Sequence, residues 1–502
     1  MISKNDDMEF KSENMTVDGR TRKRILLIYP QLGPQALMPQ APLSLLSICP
    51  NLEDAGYAPI IVDTRVESDH EEKIKKELPH SLFVGITSMT GLQIQYALQI
   101  AAFIRRLDPE KVIVWGGIHA TILPEQTLQD PRVDIVVAGE GEEVVVELAD
   151  CLSSNGDLRA VKGIYFHDEQ GNVVFTGKRA FLDMNKVKMP SWHLVDVSRY
   201  SEIGVQAARG CPFRCRFCFN HLYNGGKWRA KDADLVIKEL RVLKERYDVG
   251  HVVFYDDNFF SNLKRVRYLC EKLVENNLGI KWSTTCRADI LARRVDAPFA
   301  DLMKKAGIHI LFVGSESGSQ RILSDVINKQ ITVDDILGMA RITHEHNLRV
   351  HTSFMAGLPG ETEQERRMTF DLMDRIKAIN PNIYITAVCI YTPYPGNPLF
   401  NEIVTARSYE PPQSLEEWAQ LTFFNCRLPW LTAEECSMLE NLAFISRFVF
   451  WSGEIRDRYI KWYHYPAYIF YRLDALLRWR FRFFKYAPEW KIFRRVAGYT
   501  EA

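Results

Sequence analysis

Short apolar runs alternate with helical segments along most of this 502-residue chain, in two separate blocks. In the first block RILLIYP from Arg24, APIIVDT (58–64), SLFVGITS (81–88), KVIVWGG (111–117) and VDIVVAG (133–139) read as buried strands. Helices fill the gaps: Leu43 to Ala55, stopped by Gly56, then segments around Glu71 to Leu78, Leu92 to Leu107, Pro124 to Leu128 and Glu142 to Leu152. Such alternation predicts parallel strands with helical crossovers. The fold class is α/β, with an N-terminal doubly wound parallel sheet whose ligands sit beyond the strands' carboxyl ends.

The second block begins with IGVQAARG (203–210) and runs through HVVFYDDNFF, KWSTTCRAD, IHILFVGSESGS, RVHTSFMAGLPGET and IYITAVCIYTPYPG. Six strands from Ile203 to Tyr391, each followed by a loop of unusual composition, predict a partial (β/α)6 barrel with its site in those loops. Ahead of it KGIYFHDEQGNVVFTG reads as a hairpin in a connector. The expected division is 1–22 disordered, 23–152 sheet domain, 153–200 linker and hairpin, 201–400 barrel, and 401–502 a helical C-terminal region.

The first barrel loop, RGCPFRCRFCFN, places Cys211, Cys215 and Cys218 in the pattern C-x3-C-x2-C. Three thiolates so close together suit an iron–sulfur cluster. A structural zinc knuckle is the alternative; it needs a fourth ligand, and His221 lies only three residues past Cys218. Cysteine spacing and Phe217 together resemble the radical S-adenosylmethionine (SAM) enzymes. That resemblance implies a 4Fe-4S cluster on the three cysteines, with one iron left open to chelate SAM. It further implies reductive SAM cleavage and a 5′-deoxyadenosyl radical. The other loops would then serve SAM: Asp256 or Asp257 its amino group, Arg287 its carboxylate, Glu316 its ribose or amino group, and Gly357 and Pro359 of GLPGET its adenine. A solvated acidic turn at Asp256–Asp257 and an Arg287–Asp289 salt bridge remain open readings.

Small residues crowd the carboxyl ends of the first block: Ser88, Thr90 and Gly91, then Gly116, Gly117 and His119, then Gly139, Glu140 and Gly141. Glycine there lets backbone approach a bulky ligand. With the cysteine signature downstream, residues 24–152 resemble the Rossmann-like cobalamin-binding domain of one radical SAM subgroup. No D-x-H-x-x-G loop follows the first strand, where the chain reads QLGPQALMPQ, so the resemblance implies base-off cobalamin. His119 either bonds loop and corrin tail or ligates cobalt. No G-x-G-x-x-G follows the first strand either, which disfavours a nicotinamide cofactor. The other seven cysteines read as small buried hydrophobes, Cys286 lying nearest the barrel mouth.

Composition narrows the rest. With 46% hydrophobic residues and 63 cations against 63 anions, no global field attracts nucleic acid, and none is expected as a partner. No secretory signal and no membrane span are expected, so the expected location is cytoplasmic. After Pro398 helix signals take over, and from Arg456 to Arg495 eleven Lys or Arg interleave with aromatics against Asp457, Asp474 and Glu489. That run suits packing over the barrel, peripheral contact with anionic lipid, or single-stranded nucleic acid. Taken together, the expectation is cobalamin-dependent methylation of an apolar or lipid-like small molecule, with flavodoxin or ferredoxin as electron donor. A non-methylating cyclase, or a non-catalytic cluster- or corrinoid-binding protein, is the alternative.

Overall fold

The computed structural model describes residues 16–17, 20–33, 39–421, 426, 428–450 and 464–496. Within the expected disordered start, 1–22, Thr16–Val17 instead pairs antiparallel with Arg20–Thr21; the rest of that start up to residue 19, residues 34–38 of the loop after the first strand and the first part of the basic aromatic run lie outside the described residues. The chain divides into two compact units. The first runs to Leu182 and takes in Lys186–Ser201 and Ser414–Glu416; the second holds Asp183–Asn185, Glu202–Gln413 and everything from Glu417 on.

The first unit is built on a seven-stranded sheet: β1 (Arg24–Tyr29), β2 (Ala58–Asp63), β3 (Ser81–Thr87), β4 (Ile113–Gly116), β5 (Ile135–Val137), β6 (Ile164–His167) and β7 (Val173–Phe175). Their order is β2-β1-β3-β4-β5-β6-β7, parallel through β5 and antiparallel after it. Order 2-1-3-4-5 is a doubly wound sheet with its switch point between β1 and β3. Helices cover both faces, so the strands carry continuous apolar runs, and Ile25, Leu26, Ile28, Val84, Trp115 and Val136 are buried. The hairpin expected in the connector instead extends this sheet: Val137 pairs with Ile164, and the turn closes on Asp168, which accepts the Asn172 N–H. Its alternating apolar residues gain a packed face only by pairing with β5, whose outer edge would otherwise be bare.

In the second unit six strands, β8 (Ile203–Val205), β9 (His251–Phe254), β10 (Lys281–Cys286), β11 (Ile308–Glu316), β12 (Val350–Ala356) and β13 (Tyr384–Ile390), pair in sequence order, all parallel. This is the expected partial (β/α)6 barrel. Phe254, Phe259, Phe260 and Trp282 interlock near its second and third strands, with ring centroids 4.9–5.9 Å apart. Capping sets where two outer helices start. Thr332 and Asp335 form a reciprocal capping box at helix Val333–Glu345, and Thr362 and Glu365 another at helix Glu363–Ile379. The second box fixes the exit of the GLPGET turn.

Helix Ala433–Phe450 lies on the last strand, where Ser446 Oγ accepts the Val388 N–H at 3.1 Å. Two further helices follow, Tyr465–Phe481 and Pro488–Val496, with Pro466 and Pro488 in their first turns, where a missing N–H costs nothing. Trp479 Nε1 donates to Asp374 at 2.8 Å, so the former packs on helix Glu363–Ile379. Among the described residues no helix is long and apolar enough to cross a membrane.

Candidate functional site

The cysteine loop leaves β8 through a short antiparallel ladder, Ala208–Arg209 against Arg229–Ala230, which closes its base. Three further bonds fasten it. Arg216 N–H donates to Ile327 O at 2.8 Å, Asn328 Nδ2 to Arg214 O at 3.2 Å, and Leu399 N–H to Arg216 O at 2.9 Å. The loop is thereby held by segments that follow β11 and β13, the farther of them in sequence at Leu399.

Asp256 and Asp257 sit at the end of β9 and face this loop. Asp256 is buried and accepts the Ala207 N–H at 2.8 Å; Asp257 Oδ2 accepts the Gly210 N–H at 2.7 Å. Burial pushes the Asp256 carboxyl up to about 7, against the pull of backbone N–H groups and Arg265. Asp256 is thus no solvated turn, whereas Asp257 is exposed and tied to the loop through one oxygen. Asn258, unremarked in the sequence, donates Nδ2–H to Cys211 Sγ at 3.6 Å. Burial pushes the Cys218 thiol up to about 11 and raises Cys215 too, the latter opposed by the positive charges of Lys329 and Arg287. Among the described residues no three His, Cys, Asp or Glu side chains come close enough to share one metal ion.

Arg287 stacks on Phe213 of the cysteine loop, 3.6 Å to the ring centroid, and donates to Asp289 at 3.0 Å and to Lys329 O at 2.8 Å. The salt bridge weighed in the sequence is therefore formed. Glu316 has a left-handed backbone, φ +64°, and its carboxylate meets Lys329 Nζ at 2.6 Å with both side chains nearly buried. Room for the pair comes from Gly314, where a Cβ would stand 2.1 Å from Glu316 Oε1 and 2.9 Å from Lys329 Nζ. Lys329 Nζ also lies 5.7 Å from the Phe217 ring centroid. Sequence reading missed Lys329; its one signal was a lone cation in the apolar stretch ILSDVINKQI. Gly357 gives its N–H to Glu361 Oε2 at 2.6 Å and its carbonyl to Trp430 Nε1 at 3.1 Å, so the GLPG turn that contains Pro359 is tied on both sides. Cys286 is buried with its thiol pushed up by burial.

In the first unit the loops after β3, β4 and β5 are laced together. Ser88 N–H donates to Gly116 O at 2.9 Å, Thr90 Oγ1 bonds His119 Nδ1 at 2.9 Å, and Gly139 N–H donates to Thr121 Oγ1 at 3.0 Å. Gly117 has φ +94° with its α-carbon against Ser88, where a Cβ would stand 2.6 Å from the Ser88 carbonyl. Burial pushes His119 down to about 3, so its ring is neutral. Glu140 is drawn aside to accept the Leu182 N–H at 2.8 Å. Among the described residues nothing stands beside Gly116 and Gly139 where a side chain would begin, while Gly141 lies against Ile48.

Comparison with known proteins decides the family. The model of the radical SAM superfamily matches residues 205–373, and that of the B12 binding domain residues 36–149. An uncharacterized methyltransferase of Pyrococcus horikoshii is 30% identical over 391 residues, 76% of this chain and 81% of that one. The chain belongs to the cobalamin-dependent radical SAM enzymes. An anaerobic magnesium-protoporphyrin IX monomethyl ester cyclase of Rubrivivax gelatinosus is 28% identical, covering 76% of this chain and 70% of the relative. Among solved structures, the radical SAM methyltransferase TsrM of Kitasatospora setae with cobalamin and a [4Fe-4S] cluster bound superposes with a TM-score of 0.67 at 18% identity, covering 91% of this chain and 99% of that one. That likeness shows the shared fold.

This radical SAM enzyme therefore uses a 4Fe-4S cluster, SAM and cobalamin, acts on a small molecule and needs a reductant. Its residues fit those groups. Three thiols on one loop suit a cluster, and an amide N–H directed at one sulfur, as Asn258 directs its own at Cys211, is the usual tuning contact. The open spaces beside Gly116 and Gly139 suit a broad ring approaching backbone.

Proposed function

We propose that the enzyme transfers a methyl group to an unactivated carbon of an apolar, lipid- or isoprenoid-like substrate. The observation that carries this reading is the pairing of a thiol loop braced by charged groups with a separate sheet whose ligand-facing loops are built of glycine and small hydroxyl residues, with Glu140 turned to the Leu182 N–H. When bound, the cluster and cobalamin supply reductive SAM cleavage and a transferable methyl group. In this reading Cys211, Cys215 and Cys218 hold the cluster, and Asn258 stabilises the Cys211 sulfur by its N–H. Lys329 and Arg287 supply positive charge for the SAM carboxylate, and Glu316 accepts from its amino group or ribose. Gly357 and Pro359 border the adenine. Asp256 positions the loop through its Oδ1, which accepts the Ala207 N–H.

Ser88, Thr90, Gly116, Gly117, Gly139 and Gly141 form the corrin floor. Glu140 braces the floor from behind through its bond to Leu182. His119, neutral and bonded to Thr90, would hold that floor in place beneath the corrin. We keep 23–152, 201–400 and 401–502 as the domain limits and assign the hairpin of the 153–200 connector to the first sheet. A flavodoxin or ferredoxin supplies electrons in the cytoplasm, and the C-terminal helices bring the enzyme to a lipid surface where an apolar substrate resides.

A second reading, oxidative cyclisation without methyl transfer, is favoured by the resemblance to the Rubrivivax cyclase. Turnover with candidate apolar substrates separates the two. S-adenosylhomocysteine and 5′-deoxyadenosine formed together with a methylated product support methylation; 5′-deoxyadenosine alone with a cyclised or oxidised product rejects it.

A further inference from the structure

Helix Tyr465–Phe481 is apolar on two faces. Its inner face, Tyr468, Ala475 and Trp479, is buried. About 100° per residue separates this stripe from Ile469, Phe470, Leu473, Leu476, Leu477 and Phe481, which share an arc on the other side. Phe470 is 59% exposed, Leu477 60% and Phe481 75%. The chain continues the pattern with exposed Phe483, Tyr486 and Ile492. Of eighteen large hydrophobic side chains exposed among the described residues, nine fall between Ile469 and Ile492. A surface helix ordinarily turns its polar face to solvent, and nothing among the described residues covers this apolar outer face.

Charge selects the occupant. From His464 to Val496 the sequence holds eight Lys or Arg against Asp474 and Glu489. Both acids are used internally: Asp474 accepts from Arg478 and Trp490, and Glu489 pairs with Arg478. Arg482 is spent on Asp371 and Asp374, and Lys485 on Glu434. Arg480, in the middle of the apolar arc, and Lys491 are exposed and face outward. Aliphatic and aromatic side chains flanked by outward cations, with no outward acid on the same helices, complement an anionic bilayer: hydrocarbon takes the side chains and headgroups take the cations.

We infer that helix Tyr465–Phe481, together with Phe483 to Ile492, seats in the headgroup layer of an anionic membrane, its axis in the membrane plane and Phe470, Leu473, Leu477 and Phe481 pointing into the acyl chains. A helix of this length spans roughly 25 Å. The inference deepens the apolar-substrate reading and rests on it only for purpose: lipid contact is how such a substrate would be met.

The test is sedimentation of the full chain with vesicles, without SAM or substrate, so that it succeeds or fails independently of the reaction assigned. Vesicles of phosphatidylcholine with roughly one-third phosphatidylglycerol should bind the protein, pure phosphatidylcholine should bind it far less, and salt should weaken the contact. Substituting Phe470→Glu, Leu473→Glu and Leu477→Glu together should cut binding at least about 100-fold. Arg480→Gln with Lys491→Gln should cut it roughly 25-fold, at about fivefold for each cation. Both variants should keep the iron and corrinoid content of the parent, since the side chains face away from the packed side. Failure of the parent to bind anionic vesicles, or equal binding by the triple-Glu variant, overturns the inference. A solution dimer that the triple-Glu variant converts to monomer overturns it in favour of a second copy as occupant.

Discussion

The two ligand-facing ends of this enzyme are built from opposite materials. At the carboxyl ends of β3 to β5 the chemistry is backbone, hydroxyls, one neutral histidine and the carboxylates of the Gly139–Glu142 turn, laced by short hydrogen bonds. At the carboxyl ends of β8 to β13 it is three thiols, two carboxylates bonded to backbone, an arginine on an aromatic ring and a buried Glu316–Lys329 pair. A large ring can be held by shape over many atoms, so the first end needs little charge. A cluster and a small zwitterion present concentrated charge, so the second must supply opposite charges in fixed places.

Breaking each end separately is the strongest check. Replacing Cys211, Cys215 and Cys218 by Ala should remove all of the roughly four irons per chain and abolish SAM cleavage, while corrinoid content stays near parental. Iron and corrinoid assays after anaerobic reconstitution read both. Equal loss of the two would show that the ends are not independent. The reciprocal change, Gly117→Val, forces a β-branched residue into a left-handed conformation against the Ser88 carbonyl. Corrinoid affinity should fall at least about tenfold with iron retained, strain of this kind costing on the order of 1–3 kcal/mol.

Charge at the second end can be probed more gently. Lys329→Met leaves Glu316 buried without its cation, which should cost about 3 kcal/mol of stability and weaken SAM binding. Adding Glu316→Gln should restore most of the stability but not the SAM affinity; a double-mutant cycle by denaturant unfolding and SAM titration separates the two. The smallest effect concerns pH. The Asp256 carboxyl is held near 7 in the folded chain, above the range of an exposed aspartate. The folded state therefore binds the proton more tightly, and its contribution to stability is present below about pH 4 and lost as pH rises through about 7. Asp256→Asn should flatten the fall of stability between those limits by an amount on the order of 2 kcal/mol, and leave SAM cleavage within a fewfold of the parent. A large loss of SAM binding in this variant would return Asp256 to direct contact with SAM.

Local signals in the chain made the architecture readable. Apolar runs of strand length, separated by helices with recognisable stops, leave parallel α/β folding as the economical way to bury them, and both sheets have the predicted strands. The cysteine spacing was equally local, since three ligands within eight residues must share one loop. The hairpin at Ile164–Phe175 was visible as a hairpin, but its attachment to β5 was not, because edge pairing depends on which strand is left uncovered.

The chain by itself determined two α/β layers, one thiol loop and a tail rich in both cations and aromatics. Only tertiary structure decided what surrounds the thiols. Lys329 reaches Glu316 across thirteen residues of sequence through an irregular turn, and Asn258 reaches Cys211 from the next strand. Neither spacing repeats any period of helix or strand. Tertiary structure also split the tail: Tyr468 and Trp479 are buried against neighbouring helices while Phe470 and Leu477 remain outside. Composition is the same for both faces. Which face is covered depends on the position of helix Glu363–Ile379, whose Asp371 and Asp374 draw Arg482 and Trp479 inward and leave the opposite arc to whatever lies beyond the protein.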